Sequence, residues 1–234
     1  MRVGVIGGGL MGSGIAEVCA RSGVDVTVVE VDSARCEKSQ AAIGKSLDRG
    51  VRGGHVSSED RSAALERLAF STSLDDVEGA DAAIEAIVED EGLKRSLFKR
   101  LDTLLPDALF LASNTSSVPI MKLGAETSQP HKVIGLHFFN PVPVLPLVEI
   151  VHSIMTADET ADRAREFAEK TLGKECIDSQ DRAGFVVNAL LIPYLLSSIR
   201  MYESGFASRE DIDRGMVLGC AHPMGPLRLS DLIG

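Results

Sequence analysis

Residues 2–30, RVGVIGGGLMGSGIAEVCARSGVDVTVVE, decide the fold. Arg2–Ile6 is a short β-branched run. Gly12–Ser22 then carries apolar residues at helical spacing, Ile15, Val18 and Cys19 among them. Asp25–Glu30 is a second β-rich run. The order strand, glycine turn, helix, strand is a βαβ opening, and such units build parallel sheets. Within it, Gly7-Gly8-Gly9-Leu10-Met11-Gly12 fits GxGxxG. The pattern alone is weak, but its place between a strand and a helix gives each glycine a task. Gly7 permits the tight turn, Gly9 lets the backbone approach a pyrophosphate, and Gly12 allows close helix–strand packing. The loop through Leu10 and Met11 feeds a helix N-terminus, whose N–H groups and partial positive charge suit phosphates. Glu30 ends the second strand. A carboxylate there accepts hydrogen bonds from ribose hydroxyls and repels the extra phosphate of NADP, so NAD is the expected cofactor.

Working outward, Ala82–Val88, Leu109–Ala112, Val133–Phe138, Leu145–Val151 and Glu175–Asp178 read as further strands. The long connection from Glu30 to Phe70 predicts two helices, Ser33–Arg49 and Ser57–Leu68. Gly50, Gly53 and Gly54 form the turn between them, giving a helical hairpin that projects from the sheet. Thr156–Leu172 reads as one helix, with Thr156 and Glu159 as a capping box and Gly173 as its stop. After Gly184 strand signals cease. Phe185–Met201 is apolar nearly all round, as a buried central helix would be, with a kink expected at Pro193. Ser208–Leu218 is a second, amphipathic helix. The expected architecture is α/β. A Rossmann-type NAD-binding domain, residues 1–182, carries the projecting hairpin, and an all-helical domain, residues 183–234, follows.

Composition excludes several function classes. Asp plus Glu number 34 against 24 Lys plus Arg, a formal charge of -10. Nucleic acid is therefore not the expected partner, since phosphate binding needs a basic face. Cys19, Cys36, Cys176 and Cys220 form no CxxC pair and read as reduced cytosolic thiols, and no Cys or His pair has zinc-ligand spacing. The longest apolar stretch, Phe185–Leu196, is broken by Asn188 and Pro193 and is too short to span a bilayer, which needs ~20 residues. Gly7, Gly8, Gly9 and Glu17 break the N-terminal apolar run, which only faintly imitates a signal peptide. A cytoplasmic protein with neither membrane nor nucleic-acid partners is expected.

The strands Val133–Phe138 and Leu145–Val151 are joined by Asn140-Pro141-Val142-Pro143. In a symmetric hairpin centred on Pro143, His137 and Glu149 face each other. Glu149 lies among Leu147, Val148, Ile150 and Val151, and a carboxylate in so apolar a run needs a partner if buried. A His–carboxylate pair suits alcohol oxidation: the imidazole takes the hydroxyl proton as hydride leaves carbon, and the carboxylate fixes the tautomer. The plainer alternative is a satisfied core histidine beside an edge-strand charge.

The stretches GGGLMGSGIA, IEAIVEDEGLK, ASNTSS, GLHFFNPV, LVEIV, GFVVN and EDIDRGMVLGCAHPMGPL, in this order, resemble L-3-hydroxyacyl-CoA dehydrogenases over essentially the whole chain. The resemblance implies NAD-dependent oxidation of a short 3-hydroxyacyl-CoA. It makes His137 and Glu149 the catalytic pair, and it places Ser116 at the substrate oxygen near the nicotinamide. It puts Asn188 in the same pocket. Glu30, Glu89, Lys94 and Asn140 would contact or surround NAD. Ser46, in the hairpin, would touch coenzyme A. Lys38, Lys45, Arg49 and Arg52, spaced by 7, 4 and 3, would lie near one face of a continuous helix, either as a solvated face or as a landing site for the coenzyme A phosphates centred on Lys45 and Arg49. The resemblance also implies a homodimer through the helical domain, and a family chain that continues roughly 50 residues past Gly234. Ala183 and Ala189 replace the Pro and Arg expected around GFVVN, and glycine replaces a second arm cation near Gly53. Each residue keeps a plainer role. Asn140 precedes a proline as a turn residue, Ser116 could cap a helix, and Glu89 with Lys94 could be a surface ion pair. Two other functions stay open on sequence: a dehydrogenase of a free hydroxy acid, and a catalytically silent NAD-binding protein.

Overall fold

The computed structural model describes residues 1–233. The chain divides into two compact units, Met1–Ala183 and Gly184–Gly234.

The first unit is built on an eight-stranded sheet ordered β3-β2-β1-β4-β5-β6-β7-β8. The strands are β1 (Arg2–Ile6), β2 (Asp25–Val29), β3 (Leu68–Ser71), β4 (Ala82–Glu85), β5 (Phe110–Ser113), β6 (Val133–Phe138), β7 (Leu147–His152) and β8 (Glu175–Gln180). All neighbours pair in parallel except β6 with β7. Strands buried on both faces need continuous apolar runs, and Val3, Val5, Val26, Val28, Ile84, Ile134 and Leu136 supply them. From β1 the chain builds β2 and β3 on one side, then crosses back to place β4 on the other. The topological switch point, where open α/β sheets bind ligands, therefore lies at the carboxyl ends of these strands.

Helix α1 (Leu10–Arg21) starts two residues earlier than its apolar periodicity suggests, because Leu10 and Met11 already take helical geometry. The hairpin between β2 and β3 consists of α2 (Ser33–Arg52) and α3 (Ser58–Glu66). Gly50 stays inside α2, and Gly53 and Gly54 alone make the break, Gly54 at φ +72°. Leu68, read as helical, opens β3 instead. Nor does the hairpin stand wholly clear of the sheet. Cys36, Ser39, Ile43 and Leu47 form a buried face of α2, and both helices pack on α1. Helices α4 (Glu91–Leu104) and α5 (Ile120–Gly124) follow β4 and β5.

The expected helix over 156–172 is α6 (Asp158–Glu166) continued as a π turn over Phe167–Thr171, where the Leu172 N–H reaches the Phe167 carbonyl at 3.0 Å. Gly173, at φ +66°, ends it. The capping box does not form. The Thr156 hydroxyl donates to the Val133 carbonyl at 2.7 Å, and Ala157 occupies the N-cap without a side-chain bond. A tertiary partner on β6 outcompetes the local one.

The second unit holds α7 (Val187–Glu203), α8 (Arg209–Cys220) and α9 (Pro226–Ile233). Asp213 of α8 accepts from the Leu227 and Arg228 N–H groups and so caps α9. The expectation that α7 is buried all round fails. Leu190 is 72% exposed and Ile192 47%, and only Leu195 and Ser198 are fully buried, because α8 and α9 cover one side of it. Among the described residues no helix is long and apolar enough to cross a membrane.

Candidate active site

The first feature of the site is the turn between β1 and α1. Gly7 has φ +97°, and a Cβ there would lie 2.6 Å from the Ala86 carbonyl oxygen. A Cβ on Gly12 would come within 1.7 Å of the Gly7 carbonyl, so this close contact admits only glycine. Around Gly9 there is open space, which leaves the loop accessible to a ligand. Gly9 is also the N-cap of α1, with no side-chain cap and no acid in the first turn. Helices α2, α3 and α4, by contrast, are capped by Asp32, Ser57 and Asp90. The α1 N-terminus is thus left to an external anion. Glu30 lies next to this loop, accepting from the Gly8 N–H at 2.8 Å and from the Val31 N–H at 3.1 Å. Cradle, helix end and acid together fit a dinucleotide without a ribose phosphate. Groups of His, Cys, Asp or Glu able to hold a metal ion are absent among the described residues.

The second feature is the dyad. His137 and Glu149 are register partners across the β6–β7 pair, so their side chains share one face. His137 Nδ1 lies 2.6 Å from Glu149 Oε2, with Glu149 wholly buried and His137 nearly so. Phe139 packs edge-on against the imidazole, ring centroids 4.7 Å apart. The contact of Nδ1 with the carboxylate fixes the orientation of the imidazole ring. The end of β6 is held in place by Asn114, whose side-chain oxygen accepts the Phe138 N–H at 2.9 Å.

The third feature is the turn after β5. Glu89 Oε1 accepts from the Ser116 and Ser117 N–H groups, each at 3.0 Å, and from the hydroxyls of Thr115 and Ser117. Burial alone would raise the Glu89 carboxyl. The Thr115 bond and the Lys94 charge outweigh it and leave the group at about 2. Thr115 and Ser117 are thereby used up in holding the turn. The Ser116 hydroxyl has no hydrogen-bond partner among the described residues, and Ser116 caps no helix: α5 begins at Ile120 with Pro119 at its N-cap. Lys94 is not a surface residue. It is 1% exposed, with its ammonium 2.5 Å from Glu85 and 3.1 Å from Glu89. Glu85, absent from the sequence-level site, is fully buried and also accepts from Ile87 N–H and the Ser113 hydroxyl. A carboxylate closing the apolar strand AAIE was the available signal, the same one that marked Glu149.

A cleft of about 570 Å³ opens between the glycine loop, α2 and the β6–β7 turn. Glu30, Ser46, Arg49 and Asn140 line it, as does Lys38. Lys45 does not line it; it lies on an exposed side of α2. Arg35 and the buried Glu17, neither of which carries a motif, complete the wall. The turn itself is anchored from behind: Lys174 Nζ donates to the Val142 and Leu145 carbonyls at 2.6 and 2.8 Å. Asn188 lies in the first turn of α7, in the second unit, half-buried.

Comparison with known proteins adds an independent line. The model of the 3-hydroxyacyl-CoA dehydrogenase NAD-binding domain matches residues 2–182, and that of the C-terminal domain matches residues 184–234. The chain is 57% identical over 235 residues to a 3-hydroxybutyryl-CoA dehydrogenase of Mycobacterium tuberculosis, covering 100% of itself and 82% of that protein. It is similar to the crystal structure of M. tuberculosis FadB2, with TM-score 0.97 and 56% identity over 100% of this chain and 82% of the other. The (S)-3-hydroxybutyryl-CoA dehydrogenase PaaH1 of Ralstonia eutropha gives TM-score 0.94 at 43% identity, again over 100% and 82%.

Proposed function

The chain belongs to the 3-hydroxyacyl-CoA dehydrogenase family, and from that premise we propose how its own residues carry out the reaction. It is an NAD-dependent oxidoreductase that interconverts a short 3-hydroxyacyl-CoA and the 3-oxoacyl-CoA. NAD, when bound, supplies the acceptor for the hydride. The Gly7–Gly12 turn with Leu10 and Met11 holds the pyrophosphate at the α1 N-terminus, and Glu30 holds the adenosine ribose. Asn140 and the Glu89 turn flank the other half. Lys94 acts from beneath, through Glu89. The Ser116 hydroxyl, left unoccupied by the fold, donates to the substrate oxygen. His137 removes the hydroxyl proton through Nε2, and Glu149 stabilises the imidazolium that forms. Asn188 is assigned to the substrate pocket.

The observation that supports this assignment best is the 2.6 Å contact of His137 with a fully buried carboxylate at the carboxyl end of β6. The coenzyme A moiety is assigned to the α2 side of the cleft, with Ser46, Arg49 and Lys38, and with Lys45 on the exposed side of the same helix. We place residues 1–182 in the cofactor domain and 183–234 in a domain that pairs two copies, a reading supported by the exposed apolar side of α7. We place the enzyme in the cytoplasm, working on fatty acyl thioesters, as in β-oxidation. The test is NADH oxidation with acetoacetyl-CoA and, separately, with free acetoacetate. Turnover of the thioester alone is expected, and equal turnover of the free acid would overturn the assignment of the CoA site.

A further inference from the structure

Glu85 and Lys94 are buried to 0% and 1% exposure and touch at 2.5 Å, with Glu89 3.1 Å from the same ammonium. Two carboxylates therefore surround one cation, a formal charge of -1. Lys94 sits closer to Glu85, the wholly buried member. Glu89 is the member that reaches the surface, its side chain 38% exposed, beside the Ser116 turn. We propose that Glu85 sets the charge presented to the nicotinamide end of the site: by sharing Lys94 with Glu89 it leaves the cluster one negative charge in excess, and that charge shifts binding toward the cationic, oxidised cofactor relative to the neutral, reduced one. The inference rests on the NAD reading above.

The topology places this cluster at the right half of the cofactor. A dinucleotide lies across the switch point, one mononucleotide on each half of the sheet. Glu30 follows β2 and marks the adenosine half. Glu85 ends β4, Ser113 ends β5 and accepts the Thr115 N–H, and His137 lies near the end of β6. These three neighbouring strand ends form the other half, where the redox ring must lie to receive hydride from a carbon whose hydroxyl proton goes to His137. The ring carries one positive charge before hydride arrives and none after. A fixed negative charge nearby therefore stabilises only the first state. For a unit charge within roughly 10 Å at an effective dielectric of ~20, the preference is on the order of tenfold. The low pKa of Glu89 is consistent with its remaining charged at neutral pH.

Glu85→Gln tests this by taking the cluster from -1 to 0. The amide oxygen keeps the bonds from Ile87 and Lys94. The dissociation constants of NADH and of NAD are measured by fluorescence and calorimetry, and their ratio is compared with wild type. Glu85→Gln should reduce the preference for the oxidised cofactor by about tenfold. Glu89→Gln, which also makes the cluster neutral, should do the same, and it serves if the buried variant does not fold. The double variant Glu85→Gln/Lys94→Met restores a net -1 and should return the ratio to within about twofold of wild type. A cluster that merely braces the turn would predict the reverse: both cofactors weakened in parallel, and the double variant worse than the single. Parallel weakening, or an unchanged ratio in the neutral variants, overturns the proposal while leaving NAD as cofactor. Wild-type protein that binds neither nucleotide would overturn the NAD reading with it.

Discussion

Lys174→Met is the sharpest test of how the cleft wall is held. Lys174 is 9% exposed, and no carboxylate lies within 4 Å of its ammonium among the described residues. Its partners are the Val142 and Leu145 carbonyls, both in the turn that lines the cleft. Methionine fills a similar volume but strands the Val142 acceptor, while the exposed Leu145 can turn its carbonyl to water. A hydrogen bond from a charged donor contributes about 1.5–3 kcal/mol, and an orphaned buried acceptor costs about 1–3 kcal/mol. The two lost bonds and the one orphaned acceptor, offset by no longer burying a cation, leave a loss of about 2–4 kcal/mol. For a protein of this size that lowers Tm by roughly 5–12 °C. Burial and the nearby Arg21 charge hold the Lys174 pKa below the ordinary 10.5. The unfolded chain therefore binds that proton more tightly, so this group makes stability rise as pH climbs toward 10.5. The variant should lose that slope. The loosened turn should also raise KM for NADH, so calorimetry at neutral and alkaline pH, with KM for NADH alongside, checks all three effects. A Tm within about 2 °C of wild type and an unchanged KM would show that the turn holds its shape without the lysine.

His137→Gln should keep NADH binding and lose ~100- to 10,000-fold in turnover, the usual cost of removing a general base; more than about a tenth of wild-type rate would refute its role. Glu30→Ala should narrow the preference for NADH over NADPH in kcat/KM, helped by Arg35 and Lys38 already lining the same cleft; wild-type preference for NADPH would contradict the role given to Glu30. Replacing Lys38 and Arg49 with Ala should raise KM for acetoacetyl-CoA at low salt without lowering kcat, since lost uniform binding acts on KM alone. A thioester lacking the nucleotide should not distinguish variant from wild type. Glu89 titrates at about 2 in the folded protein against 4.5 unfolded, so its stabilisation is present above pH 4.5 and lost as pH falls toward 2. Acid unfolding of Glu89→Gln should therefore be less steep over that interval.

The parts of this protein legible in its sequence are those in which local chemistry and tertiary structure agree. The βαβ opening is of this kind: the strand, the glycine turn and the helix each favour the same geometry. So is the β6–β7 register: the two apolar runs pair symmetrically about Pro143, with His137 opposite Glu149. Misreadings arise where a long-range partner prevails. The Thr156 hydroxyl serves Val133 rather than its own helix, and the π turn at Phe167 has no periodicity signal. Lys94 reads as a helix-surface cation and is instead buried, because its two carboxylate partners come from outside α4. Glu85 obeys the same logic as Glu149, a carboxylate in an apolar strand that must find partners once buried. Lys174 and Glu17 carry no motif, and only the folded chain shows that they border the cleft turn and wall.

The antiparallel β6–β7 pair has a consequence for how this sequence can change. The two members of the dyad are twelve positions apart, on strands joined by the segment 139–146. Strand side chains alternate between faces, so adding or deleting a single residue inside β6 or β7 would turn part of that strand to the opposite side of the sheet and separate the partners. In the largely exposed connection the same change can be taken up as loop. Chains descended from this one should therefore keep the residue count within 133–138 and 147–152, and a library of single-codon insertions should show gaps in viable clones at the two strands.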